Sequence, residues 1–261
     1  LRFRYKFGGY IHLKILPGAG EAETEKAVEL ANRVSLNMEA PTAAHLARLS
    51  RSKNFAAEIM GGLSRISRYV RRQPGVSHST QFIVGAAQES DRDILGSTVR
   101  LYSDYGLKRA YFSTFQPVPG TPLDGLSGAP LLREHRLYQA DFLFRYYGFQ
   151  MQELAYDATG NLDLSTDPKQ AFALRHPELF PLEINRASLA ELLRIPGIGP
   201  RSAKKIVGLR REAQFRAVED LARIGVVTKR ALPFILVQGK HFSALPTRPR
   251  RANGSVQTSL W

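Results

Sequence analysis

Apolar and polar positions along the first 130 residues alternate between two periods. Residues 11–16, 34–38, 80–84 and 110–115 show the two-residue alternation of strands, and the first of them ends at Pro17-Gly18. Between them, residues 21–32, 42–50, 55–70 and 91–105 repeat at helical spacing, with Ala27, Leu30 and Ala31 on one side of the first helix and Gly106 closing the last. Strand–helix alternation with short loops predicts a parallel sheet joined by right-handed crossovers. Residues 131–147 continue as an aromatic-rich helix carrying Tyr138, Phe142, Phe144, Tyr146 and Tyr147, most of which are expected in packing. Residues 150–155 are expected to form a last strand and residues 157–168 a polar loop. The strand-like start Leu1-Arg2-Phe3-Arg4-Tyr5, without Met, suggests a partial gene product.

A different grammar begins near residue 183. Ser188 and Glu191 make a capping-box start for a helix carrying Leu189, Leu192 and Leu193. Pro196-Gly197-Ile198-Gly199 breaks that helix, and Pro200 suits the first turn of a second one, with Ala203, Ile206 and Val207 inward. Gly197 and Gly199 are expected to take positive φ and let the backbone approach a ligand. The amides that open the second helix attract phosphate, and Arg201, Lys204 and Lys205 add charge beside them. Residues 217–231 repeat the frame with a shorter turn, without the second glycine, and Pro233 interrupts the last helix. The first turn is therefore expected to do most of the phosphate binding and the second to complete a four-helix core.

This stretch resembles the helix-hairpin-helix motif, and the pair resembles the paired domains of competence-type DNA-uptake proteins. The resemblance implies backbone contacts to DNA with little sequence preference, carried by Gly197, Ile198, Gly199, Arg201, Ser202, Lys204 and Lys205.

Charge strengthens that expectation. The net charge is +14, and residues 183–240 hold 12 Lys/Arg against five Asp/Glu. An excess so placed favours a polyanion partner. Residues 48–72 hold seven Lys/Arg against one Glu, which suits either an extension of that surface or a solvated helix face. The tail 241–261 is basic, rich in Pro, Ser and Gly from Ser243, and expected to be disordered. With no cysteine, disulfides, thiolate metal sites and cysteine nucleophiles are excluded. The six histidines are scattered without metal-ligand spacing, so no metal site is expected; His12 lies inside a strand. No run spans a membrane and no secretory signal is present; the DNA-binding domain suggests the cytoplasm or nucleoid, and a cytoplasmic protein is expected.

Ligands on parallel sheets bind beyond the carboxyl ends of the strands. Asn37 and Glu39, then Gly85, Gln88 and Glu89, then Gln116 to Pro122 fall there. The segments Phe7 to Pro17, Ser35 to Thr42, Ser79 to Ala86 and Tyr111 to Leu123 resemble the later strands of a radical SAM barrel. With the hairpins behind them they are similar to the radical SAM proteins assigned to DNA modification or repair. The implied fold is α/β, a partial (β/α) barrel over residues 1–129. A connecting segment 130–182, a small all-α hairpin domain 183–240 and the tail 241–261 follow. The resemblance implies S-adenosyl-L-methionine against Asn37 and Glu39 on one strand and Gly85 and Glu89 on another. It also implies a [4Fe–4S] cluster held by a three-cysteine loop, which this chain lacks; alone it is expected to be inactive, with SAM affinity weak or absent. Catalytic residues are not legible. The alternative is a non-catalytic DNA-binding module whose sheet domain takes a partner or small molecule. A hairpin glycosylase fits less well, because residues 206–216 contain no Asp and the preceding fold is α/β.

Overall fold

The computed structural model describes residues 2–242; Leu1 and the tail expected to be disordered, from Ser243, lie outside the described residues. The chain divides after Arg175 into two compact units. Residues 130–175 fall in the first of these units.

The first unit is a four-stranded parallel sheet, β1 (His12–Lys14), β2 (Arg33–Ser35), β3 (Ser77–Val84) and β4 (Arg109–Thr114), in that spatial order. Among the described residues it closes no barrel. Helices α1 (Glu21–Leu30), α2 (Ala43–Leu49), α3 (Gly61–Arg72) and α4 (Asp91–Tyr105) form the crossovers, and α5 (Leu131–Phe142) follows β4. A π-helical turn, Phe55–Met60, leads into α3.

Leu36, Phe82, Val84, Ala110 and Phe112 are buried on one side of the sheet. Three helices meet that side: α3 over Leu36 at Gly62, α4 through the His78 Nε2 contact to the Tyr105 carbonyl at 3.0 Å, and α5 through Tyr138 against Phe112.

Strand β2 ends earlier than its apolar run. The Thr80 hydroxyl donates to the Leu36 carbonyl at 2.8 Å and accepts from the Met38 amide at 2.9 Å, standing in for ladder bonds. The chain then rejoins the sheet, with the Glu39 amide donating to the Gln81 carbonyl at 3.0 Å. Leu36, Met38 and Thr80 are all buried, so Thr80→Val strands a donor and an acceptor. It is expected to cost about 1–3 kcal/mol in urea denaturation followed by circular dichroism.

Three expectations are corrected. The start of the chain, residues 2–5, is turn and bend instead of strand. Residues 150–155 form a 3-10 turn, Met151–Glu153, because the Glu153 carboxylate accepts from the Gln150 amide at 2.7 Å and closes it. The polar loop ends in an unexpected helix, α6 (Pro168–Arg175), which Asp167 caps by accepting from the Gln170 amide at 3.1 Å and which buries Ala171, Phe172 and Ala173. Of the aromatic helix, Tyr138 hydrogen-bonds the Phe112 backbone, whereas Phe142 and Tyr146 are exposed beside Arg145.

The second unit holds helices α7 (Leu189–Arg194), α8 (Pro200–Leu209), α9 (Val218–Arg223) and α10 (Thr228–Ala231). It is not all-α. Strand β5 (Leu182–Glu183) runs parallel to β6 (Ile235–Val237), which pairs antiparallel with β7 (Lys240–His241). Pro233 halts the helix, the apolar Ile235-Leu236-Val237 takes extended backbone, and Gln238-Gly239, both at positive φ, make the turn. The Glu183 carboxylate holds that turn by accepting from the Gly239 amide at 2.8 Å.

Candidate functional site

Each hairpin is built from a capped helix, a glycine turn and a second helix. In the first, Ser188 and Glu191 close the expected capping box on α7. Gly197 turns the chain at φ +83°, and α8 starts at Gly199 with Pro200 in its first turn. In the second, Asp220 accepts from the amides of Arg216 and Ala217 at 3.1 Å, and Gly225 turns at φ +92°. The two turns clasp each other. The Val227 amide donates to the Gly197 carbonyl at 2.9 Å, and the Ser202 hydroxyl donates to the Gly225 carbonyl at 2.9 Å. Asn185 ties the linker in, accepting from the Phe215 amide at 2.9 Å and donating to its carbonyl at 3.0 Å.

This geometry sorts the seven residues expected at the interface. Gly197 is a packing residue: a Cβ there would lie 2.5 Å from the Val227 carbonyl oxygen. Ile198 and Ser202 are buried. Gly199 is corrected, because it sits in extended backbone at φ −95° and needs no positive φ. Its missing side chain leaves the first turn of α8 without a side-chain cap. Arg201, Lys204 and Lys205 are exposed.

The electrostatics of the helix starts differ. The first turns of α7 and α9 carry acids, Glu191 and then Glu219 and Asp220, as the helix dipole favours. The Glu191 and Asp220 carboxyls are held below the usual range by hydrogen bonds from backbone amides. The first turn of α8 carries no acid; Arg201 stands there instead, against the dipole, whereas α10 is a single turn whose Lys229 and Arg230 stand equally at its carboxyl end. A bound anion reverses that penalty.

The sheet unit has its own cleft at the carboxyl edge. A cavity of about 370 Å³ lies beyond β1 and β2, lined by Lys14, Asn37, Glu39, Lys53 and Glu58 among others. Glu39 sits at φ +62° and pairs with Lys53 at 3.3 Å. An adjoining cavity of about 180 Å³ shares Glu39 and Lys53 and reaches Ile83, Ala86 and Phe115. Asn37 and Glu39 thus share one cleft, which Gly85 and Glu89 do not line.

The Glu89 side chain is fully buried and accepts from the amides of Gly85 and Ala87, holding its own loop. Arg133 crosses beneath, donating to the Glu89 carbonyl at 2.7 Å and to Asp91 at 2.7 Å. Burial raises the Asp91 carboxyl above its ordinary value, with Arg133 pulling it back. Gly85 is needed for packing, since a Cβ would meet the Ala129 Cβ at 2.6 Å. A larger cavity of about 730 Å³, among Tyr102, Lys108, Phe144 and Tyr146, contains none of the expected residues.

Residues 181–233 match the helix-hairpin-helix motif. Over 94 residues the chain is 33% identical to tRNA-2-methylthio-N(6)-dimethylallyladenosine synthase of Alkalilimnicola ehrlichii, covering 35% of this chain and 20% of that one. The chain therefore spans about a fifth of the length of that relative. No solved structure matches. No helix among the described residues is long and apolar enough to cross a membrane, and no three or more of their His, Asp and Glu side chains cluster as metal ligands.

Sequence reasoning left out Lys229 and Arg230, which flank the second turn as Arg201 flanks the first. The signal was legible as a basic pair right after Thr228. It was masked by the missing second glycine, which suggested a purely structural hairpin.

Proposed function

We propose that this chain is a radical SAM-related protein whose paired hairpins hold the DNA backbone without reading its sequence. The observation that carries the proposal is the reversed charge at the start of α8. The Arg201 cation there opposes the helix dipole and is explained by a phosphate between the amides and the side chain. Gly199, Arg201, Lys204 and Lys205 are the proposed contacts, Lys229 a further one, with Gly197, Ile198 and Ser202 holding the turn in shape. The motif match over residues 181–233 and the basic surplus of that segment support it. Fluorescence anisotropy with a labelled 20-base-pair duplex tests it. Binding that weakens steeply with salt and ignores sequence is expected; no binding at 50 mM salt would refute it.

RNA in place of DNA is the second reading, favoured by the similarity to a tRNA-2-methylthio-N(6)-dimethylallyladenosine synthase. A tRNA competitor that displaces the duplex at equal concentration would decide for it.

A role in DNA modification or repair, in the cytoplasm, follows from the same resemblance. For SAM, Asn37 and Glu39 supply one side of a cleft, whereas Gly85 and Glu89 hold the fold. Weak affinity is the expected result of calorimetry. The cluster does not fit, because a chain with no cysteine offers it no thiolates. Anaerobic reconstitution with iron and sulfide is expected to leave less than stoichiometric iron on the purified chain.

A further inference from the structure

The face of the sheet opposite the helices is polar and basic. Strand alternation and register place His12 and Lys14 of β1, Arg33 and Ser35 of β2, Ser77, Ser79 and Gln81 of β3, and Arg109 and Tyr111 of β4 on it. Those strand positions include no Asp or Glu. We propose that this face is a binding site for a phosphate group, held by Arg33 and Arg109 on either side of Tyr111, with Ser79 as a further donor.

Arg33 is already positioned. Its Nη1 donates to the Tyr111 hydroxyl at 3.0 Å and its Nε to the Ser77 hydroxyl at 3.2 Å. Arg109, on the edge strand, lies over the same ring, 5.3 Å from its centroid, and reaches round to the Tyr138 ring of α5 at 5.7 Å; it makes no hydrogen bond or ion pair among the described residues. Ser79 is the register partner of Arg109 and is 1% exposed, yet its hydroxyl has no hydrogen-bond partner, and the Arg109 Nε is buried without one too. Two adjacent buried donors left unpaired are costly, and an oxyanion between them satisfies both.

A covering layer of protein would demand an apolar face, but Ile83 is the apolar residue among those of β3 that share it. The planar fork of arginine suits the tetrahedral oxygens of phosphate. The site lies in the amino halves of the strands, whereas the cleft at Asn37 and Glu39 lies beyond their carboxyl ends. It does not rest on the hairpins.

The test is calorimetry on the intact chain with AMP and adenosine, and with a trinucleotide with and without its 5′-phosphate. The phosphorylated member of at least one pair is expected to bind at least tenfold tighter. Preference in the first pair identifies a free nucleotide as the source, and preference in the second alone a strand end. Arg109→Met should remove the preference, and Ser79→Ala, which deletes one atom and keeps the fold, should reduce it severalfold. Equal binding within both pairs, no binding of either, succinate competing as well as inorganic phosphate, or a preference that survives both Arg109→Met and Ser79→Ala would overturn the proposal.

Discussion

Gly197→Ala is expected to destabilise the hairpin unit by about 2–5 kcal/mol, from a left-handed backbone penalty of about 1–2 and an overpacking penalty of about 1–3. The backbone there has φ +83°, and the added Cβ would press on the Val227 carbonyl oxygen at 2.5 Å and the Ala231 amide nitrogen at 3.1 Å. These are main-chain atoms of the opposing turn and of α10, so no side chain can swing aside. Gly225→Ala should cost less, about 1–2 kcal/mol, because its φ of +92° carries the backbone penalty while the nearest atom, Ser202 Oγ, stands at an ordinary 3.6 Å. Gly199→Ala, at the N-cap of α8 in extended backbone at φ −95°, should cost up to about 1 kcal/mol, the ordinary N-cap preference for glycine over alanine. Hydrogen exchange read by mass spectrometry over residues 183–240 measures all three on the intact chain. Equal protection in Gly197→Ala and Gly199→Ala would show that the two turns do not depend on their clasp.

That ordering was not legible in the sequence, where Gly197 and Gly199 look alike. Spacing marks both as turn glycines. Only the partner across the turn, Val227, distinguishes the one that packs from the one that starts a helix. The same limit explains Gly85 and Glu89. Their position after a strand suggests a ligand loop, but Ala129 and Arg133 come from more than 40 residues later in the chain and claim both for packing. What periodicity does report is local. The four parallel strands, the helix from Asp91 to Gly106 and the Ser188–Glu191 box were legible because each depends on neighbours within a few residues. The helix at Pro168 was missed although Asp167 and Pro168 are a start signal, because the polar stretch before it set the reading. The strands of the second unit were missed because Ile235-Leu236-Val237 is too short for alternation to show.

Arg201→Glu is expected to move stability and binding in opposite directions. Arg201 is exposed in the first turn of α8, where the helix dipole favours an anion. A glutamate there should stabilise the free unit by about 0.3–1 kcal/mol at low salt. The same change removes one phosphate contact and adds repulsion, so duplex affinity at 0.1 M salt should fall by more than about tenfold, the value of one contact released over a decade of salt. Lys204→Ala and Lys205→Ala should each lower the slope of log affinity against log salt by about 0.9, alike for every duplex sequence. Lys229→Ala should do the same if the second turn also meets a phosphate, as the basic pair Lys229-Arg230 beside that turn suggests. Thermal melts of the free chain paired with anisotropy titrations at four salt concentrations read both quantities. A structural role for Arg201 predicts that stability and binding fall together, and a bystander predicts that neither changes. An Arg201→Glu chain that binds the duplex with the wild-type slope would remove the electrostatic basis of the hairpin interface.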